Sequence, residues 1–228
     1  MPEFDQDLSR LVRELNVLGG GASLPAIERD EAGELRLDRL LSRVRESSGS
    51  DLLLVAGVPP TARIDGRLIA IDPNALDARA VRALVAEMLD DARERRLEAE
   101  RSVDFCFNWQ GLGRFRCNAH HQSGTIAASV RAFPSGIPTL AQLNLPECLN
   151  RFAALERGLV LIAGPSGCGK STTLAALLGT INRTRNVHVV TAEDPIEYQH
   201  THGTSIVEHM EVGRDVPSFK AEIGRAHV

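Results

Sequence analysis

The sequence predicts a mixed α/β chain in two parts, a small α+β domain on an antiparallel sheet and then the front portion of a parallel α/β domain. Three observations predict it. Short apolar runs bounded by turn signals alternate with helical periodicity up to about residue 133. Pro134, Gly136 and Pro138 then interrupt the pattern. Beyond them an apolar run passes through a glycine-rich loop into an amphipathic stretch. At 228 residues the chain can bury two cores, and with aromatics at only 4% those cores must be built from Leu, Val, Ile and Ala.

Residues 1–34 are polar and irregular, with one short amphipathic helix expected at Leu8–Leu18 and a flexible joint at Gly19-Gly20-Gly21. The first domain, 35–137, opens on a helix whose spacing Leu37, Leu40, Leu41, Val44 stops near Ser47-Ser48-Gly49. Strands are expected at Leu52–Val55, Ala62–Asp65 and Leu68–Ile71, the last two joined by the tight-turn pair Asp65-Gly66. Helices follow at Leu76–Leu89 and Ala92–Glu100, then strands at Val103–Phe107, Phe115–His121 and Ile126–Phe133. The second domain, 138–221, should carry a helix around Pro146–Leu155, a buried strand at Leu159–Ala163, a helix at Ser171–Ile181 and a second buried strand at Val187–Thr191. Such alternation implies a parallel sheet with right-handed crossovers.

Composition excludes several roles. A net charge of −4 with no long Lys/Arg run gives no electrostatic reason to bind nucleic acid. The longest apolar run, Leu159–Ala163, is far shorter than the roughly 20 residues that span a bilayer, so no direct membrane insertion is expected. The start, Met1-Pro2-Glu3-Phe4-Asp5, lacks the basic and apolar regions of a secretory signal, and a cytoplasmic protein is expected. Cys106, Cys117, Cys148 and Cys168 form no CxxC pair and read as free thiols. His200 and His202 flank a single Thr in a polar stretch and read as solvated loop, so no structural metal is expected.

The sharpest signal is Gly164-Pro165-Ser166-Gly167-Cys168-Gly169-Lys170-Ser171, which fits G-x-x-x-x-G-K-[ST] at every position and is followed by Thr172. Such glycines let backbone N–H groups converge on phosphates at the start of a helix, where the partial positive charge favours anions. Lys170 would reach the β- and γ-phosphates of ATP and Ser171 would ligate Mg²⁺. The flanking apolar run and the helical face Leu174, Leu177, Leu178, Ile181 supply the expected strand–loop–helix context.

A carboxylate cluster, Glu193-Asp194-Pro195-Ile196-Glu197, follows the second strand, where open α/β sheets bind ligands. Glu193 and Asp194 are candidates to hold Mg²⁺ or orient a water at the γ-phosphate. A solvated strand end with a turn at Asp194-Pro195 is the alternative.

With these motifs the sequence resembles the twitching-motility ATPases of type IV pili, PilT/PilU-like, within the wider type II/type IV secretion ATPase family. The resemblance covers about residues 35–221. It is carried by Ser50-Asp51-Leu52-Leu53-Leu54 with Gly57-Val58-Pro59-Pro60, by Arg114-Phe115-Arg116-Cys117-Asn118-Ala119, by Arg157-Gly158-Leu159-Val160-Leu161, and by Glu193-Asp194-Pro195-Ile196-Glu197-Tyr198, which is similar to the family's Asp box. It implies a PAS-like N-terminal domain, a RecA-like ATPase core and a homo-hexamer. It further implies a position at the cytoplasmic face of the inner membrane beside a pilus or secretion platform protein.

The resemblance also implies that Arg116 and Arg131 reach the nucleotide phosphates. If Ser123-Gly124 is a two-residue hairpin turn, the register sets Phe115 opposite Ala132, Cys117 opposite Val130 and Ala119 opposite Ala128. Arg116 then lies directly across from Arg131 on the other face. Like charges so placed are unfavourable unless an anion lies between them, and a phosphate would serve.

The family places a Walker B strand with its catalytic glutamate, and a His box, after the last residue present here. The closing residues Glu222–Val228 can be encoded by GAG-ATC-GGA-AGA-GCA-CAC-GTC, a string resembling a sequencing adapter, so this tail is expected to be non-native and the gene to continue past Ala221. The chain as it stands is expected to bind ATP and hydrolyse it poorly, while the intact product would be an ATPase of pilus retraction. The alternatives are an assembly or secretion ATPase of the same superfamily, or a non-hydrolytic nucleotide-binding module that regulates a partner ring.

Overall fold

The computed structural model describes residues 26–31 and 33–223. The expected helix at Leu8–Leu18, the Gly19–Gly21 joint and residues 224–228 lie outside the described residues. The chain separates into two compact units after Phe133, ahead of the Pro134–Pro138 stretch.

The first unit is an α+β structure. Its helix α1, Leu37–Glu46, buries Leu37, Leu40, Leu41 and Val44, the four positions set by the i, i+3, i+4, i+7 spacing. Strands β1 (Asp51–Leu54), β2 (Thr61–Ile64) and β3 (Arg67–Ala70) are followed by helices α2 (Ala78–Ala86) and α3 (Asp91–Glu100). Both helices start on an aspartate cap: Asp77 accepts the Ala80 N–H at 2.7 Å and Asp90 the Arg93 N–H at 2.8 Å. Strands β4 (Ser102–Trp109), β5 (Gly113–Gln122) and β6 (Thr125–Ala132) complete a six-stranded sheet of order β3-β2-β1-β6-β5-β4, antiparallel at every pairing.

Two hairpins have two-residue turns in which both residues take positive φ: Asp65 and Gly66 (48° and 78°), and Ser123 and Gly124 (49° and 78°). This turn twists with the strands and fixes their register. Arg116 therefore pairs with Arg131, Phe115 with Ala132, Cys117 with Val130 and Ala119 with Ala128, the register read from the sequence. Phe115, Cys117, Ala119, Ala128 and Val130 all fall in one buried core with the apolar faces of the helices. Arg45 ties α1 to this sheet: its guanidinium donates to the carbonyls of Leu112 (2.9 Å) and Phe133 (2.5 Å) and lies 4.8 Å from the Phe115 ring centre.

The second unit departs further from expectation. The helix expected around Pro146–Leu155 is a 3₁₀ turn, Glu147–Leu149, running into a short helix α4, Asn150–Ala153. Helix α5 spans Lys170–Thr184. It is followed by strand β7 (His188–Glu193), strand β8 (Ile206–Glu211), which pairs with β7 in parallel, and a short helix α6 (Phe219–Ile223). The expected buried strand at Leu159–Ala163 is not a strand, and Leu159 and Leu161 are 81% and 80% exposed. A strand exists through its hydrogen-bond ladder, and among the described residues β7 pairs with β8 alone. A two-stranded sheet offers too little face to bury a further apolar run. For the same reason β7 is only partly covered, with Val190 exposed. The buried face of α5 is Ala175, Ala176, Leu177, Gly179 and Asn182, and Leu174, expected to share a packed face, is exposed.

Candidate functional site

The loop between the apolar run and α5 takes its shape from glycine. Gly167 and Gly169 adopt φ of 77° and 93°, a region that side chains with a Cβ rarely enter, and Gly169 is the cap from which α5 starts. At Gly164 a Cβ would stand 2.6 Å from Cys168 Sγ, so the loop closes tightly across its own base. The result delivers Lys170, Ser171 and Thr172 as the first turn of a 15-residue helix. Four N–H groups there have no partner within the helix, and the peptide dipoles make that end attractive to anions. Lys170 Nζ donates to the Pro165 carbonyl at 2.8 Å, holding the ammonium over the loop, and Ser171 is exposed on the same turn. Pro165, Ser166 and Cys168 are exposed along the loop.

The acidic segment is pinned to the same unit at three points. Glu193 ends β7, and its Oε1 accepts the Thr191 hydroxyl at 2.8 Å, with His209 Nδ1 at 3.4 Å. Burial alone would raise its pKa, but hydrogen bonds from His209, Thr191 and the Glu197 backbone outweigh burial and hold the carboxyl below its ordinary value. It is a carboxylate at neutral pH. Ile196 N–H donates to Glu211 Oε2 at 3.2 Å, and the Tyr198 hydroxyl donates to Thr172 Oγ1 at 3.0 Å. The last contact joins the acidic segment to the helix turn that carries Lys170 and Ser171. Asp194 is exposed.

Of the two histidines expected to be solvated, His202 is exposed and His200 is not. His200 is buried rather than solvated, and its ring stacks on His209 at 5.7 Å. Its backbone N–H donates to His209 Nε2 at 3.0 Å, which fixes the proton of a neutral His209 on Nδ1, the atom facing Thr191 and Glu193. His202 Nδ1 accepts the Val207 N–H at 3.2 Å. His209 is supplied by β8, an element the sequence reading missed although Ile206, Val207 and Met210 lie among polar residues there. Asn182 was missed too. It is buried on α5, donates to the Thr201 carbonyl at 2.7 Å and accepts the Gly203 N–H at 3.1 Å, fastening the chain between β7 and β8 to the helix.

On the first unit, Arg116 and Arg131 are cross-strand neighbours on the face opposite the core. Their partners remove the need for an anion between them, which the register had suggested. Arg116 makes a two-point pair with Asp104 (3.0 and 2.8 Å), and Arg131 Nε donates to Asp51 at 2.9 Å, with Arg63 3.4 Å from the same carboxylate. The protein's own carboxylates relieve the repulsion, so the register alone does not call for a phosphate.

Among the described residues no group of three His, Cys, Asp or Glu side chains is placed to hold a metal ion. The residues that fit Mg²⁺ are therefore few: the exposed Ser171 hydroxyl beside the phosphate-loop turn, and the ionised Glu193. Mg²⁺ held by nucleotide phosphates ordinarily takes only one or two protein ligands, so a hydroxyl or carboxylate of this chemistry suits it.

The model of the type II/IV secretion system protein family matches residues 63–215. The chain is 36% identical over 189 residues to the type IV pilus ATPase PilU of Pseudomonas aeruginosa, covering 83% of this chain and 50% of that protein. It is 38% identical over 190 residues to the type IV pilus retraction ATPase PilT of the same organism, covering 83% and 55%. A crystal structure of the pilus retraction motor PilT with bound ADP superposes with a TM-score of 0.80 at 37% identity, over 85% of this chain and 57% of that one. The chain thus spans about half the length of these relatives.

Proposed function

This chain belongs to the type II/IV secretion system protein family, and on that premise we propose that its Gly164–Thr172 loop binds ATP for a ring-forming motor ATPase of the pilus-retraction type. The observation that carries the reading is the loop itself: positive-φ glycines feeding a helix whose first turn presents Lys170, Ser171 and Thr172. Its likeness to a retraction motor solved with ADP supports a nucleotide as the ligand.

The residues divide the work. Backbone N–H groups of Gly167, Cys168 and Gly169 receive phosphate oxygens, and Lys170 exchanges the Pro165 carbonyl for the β- and γ-phosphates. Ser171 and Glu193 are the residues that would hold Mg²⁺, which when bound neutralises charge on the phosphates. Glu193, held by Thr191 and His209, is also the residue assigned to orient a water. Arg116 and Arg131 complete the phosphate-binding set in a hexamer, supported by their shared exposed face and by the family resemblance. The assembly works at the cytoplasmic face of the inner membrane against a platform protein. Among the described residues no helix is long and apolar enough to cross a membrane.

Thermal unfolding with and without Mg²⁺-ATP tests the binding site. Ligand at 100 times its Kd stabilises the native state by about 2.7 kcal/mol, and Lys170→Ala should abolish the shift. No shift in the wild type, or an equal shift in Lys170→Ala, refutes the assignment.

A further inference from the structure

Helix α5 contains four threonines, and three of them treat their hydroxyls alike. Thr173 donates to the Gly169 carbonyl at 2.9 Å, Thr180 to Ala176 at 3.1 Å and Thr184 to Thr180 at 2.8 Å, each one turn back along the helix. This back-bonding is the usual habit of a helical threonine, because the i−4 carbonyl is the acceptor within reach. Thr172 is the exception. Its hydroxyl oxygen accepts from the Tyr198 phenol at 3.0 Å.

The Tyr198 side that makes this contact is firmly held. Tyr198 and Ile196 are each 6% exposed, and Glu211, which receives the Ile196 N–H, is itself buried and has its backbone N–H bonded to Asp215 Oδ2 at 2.9 Å. The phenol therefore reaches Thr172 from a segment anchored on β7 and β8. A threonine hydroxyl has one proton and two lone pairs. With Tyr198 donating into a lone pair, the Thr172 proton remains available to an outside acceptor, on the turn where anions are favoured.

We propose that Tyr198 is a positioning residue for nucleotide binding: its phenol holds the Thr172 hydroxyl away from back-bonding and aims its proton at a phosphate oxygen. Occupation of the loop is thereby linked mechanically to the Glu193–Tyr198 segment. The proposal rests on the nucleotide reading of the loop.

The test is a double-mutant cycle on Mg²⁺-ADP affinity, measured by titration calorimetry on the full chain, with Lys170→Ala as a control. Tyr198→Phe removes one hydroxyl and should weaken binding about threefold to tenfold, the worth of a hydrogen bond in such a site. Thr172→Val should do the same, and the double variant should bind no more weakly than Thr172→Val alone. Thr172→Ser, which keeps the hydroxyl, should restore near-native affinity. Tyr198 is the only tyrosine in the chain, so the tyrosine part of an ultraviolet difference spectrum, with Trp109 and free nucleotide subtracted through the Tyr198→Phe variant, reports on this site. Mg²⁺-ADP should shift that spectrum in the wild type and in Thr172→Ser and leave it unmoved in Thr172→Val. Losses that multiply in the double variant, or native affinity in Tyr198→Phe, overturn the proposal while leaving the loop assignment standing. No ADP binding by the wild type removes the nucleotide reading itself.

Discussion

Arg116 and Arg131 face one another directly across β5 and β6, and each is ion-paired to a carboxylate on the strand outside that pair, Asp104 on β4 and Asp51 on β1. The sheet thus flanks its two adjacent arginines with a carboxylate on each outer strand rather than leaving them as a bare cationic patch. Any phosphate that recruits these arginines must compete with carboxylates already in place.

Asp51 is the more constrained of the two carboxylates. Its side chain is 9% exposed, and although burial would raise its pKa, Ser50, Arg131 and Arg63 bring it below the ordinary value. A depressed carboxyl pKa stabilises the fold above the unfolded-state value and loses that contribution as pH falls through the folded one. The melting temperature should therefore drop below about pH 4 in the wild type. Asp51→Asn should cost about 1–2 kcal/mol at pH 7, modest because the arginines are solvent-screened, and should flatten that acid limb. Unfolding curves across pH 3–7 provide the check.

The cysteines should divide into two classes. Cys106 and Cys117 are buried, and burial pushes the Cys117 thiol up to about 12, whereas Cys148 and Cys168 are exposed. A thiol reagent at pH 8 should label Cys148 and Cys168 in the native protein and reach the other two only on denaturation. Saturating Mg²⁺-ATP should protect Cys168 and leave Cys148 unchanged, as peptide mass analysis would show.

At Gly203 the obstacle to a side chain is backbone. A Cβ there would lie 2.9 Å from the Asn182 carbonyl oxygen and 3.0 Å from its Oδ1. Gly203→Ala should destabilise the second unit by about 1–3 kcal/mol, and Asn182→Ala, which strips partners from the backbone of Thr201 and Gly203, by about 1 kcal/mol. Chemical denaturation would measure both, and a neutral Gly203→Ala would refute the close approach of Gly203 to Asn182.

His200 gives the second unit a pH dependence near neutrality. Burial first, and the neighbouring His209 second, lower its pKa below the ordinary value. The unfolded chain then takes up a proton before the native one does. Stability is full above about pH 6.5 and declines as pH falls below it. Thermal melts from pH 8 to pH 5.5 should show the decline, and His200→Phe should reduce its slope.

Much of the first unit was legible because its information is local. The spacing of Leu37, Leu40, Leu41 and Val44 names a helix face, and the pairs Asp65-Gly66 and Ser123-Gly124 fix hairpin turns, from which the Arg116–Arg131 register follows by counting. The shape of the Gly164–Thr172 loop was legible for a similar reason, since Gly164, Gly167 and Gly169 set its backbone conformation within a few residues. Periodicity could not decide Leu159–Ala163, because an apolar run becomes a strand only where a neighbouring edge accepts its hydrogen bonds. The partners of Arg116, the burial of His200, and the contacts of His209 with Glu193 and of Tyr198 with Thr172 join residues far apart in the chain. What the sequence by itself determined was therefore the set of chemical groups and their local geometry. Which carboxylate, imidazole or phenol meets each of them was decided only by the tertiary structure, because hydrogen bonds and ion pairs depend on distances that sequence separation does not encode.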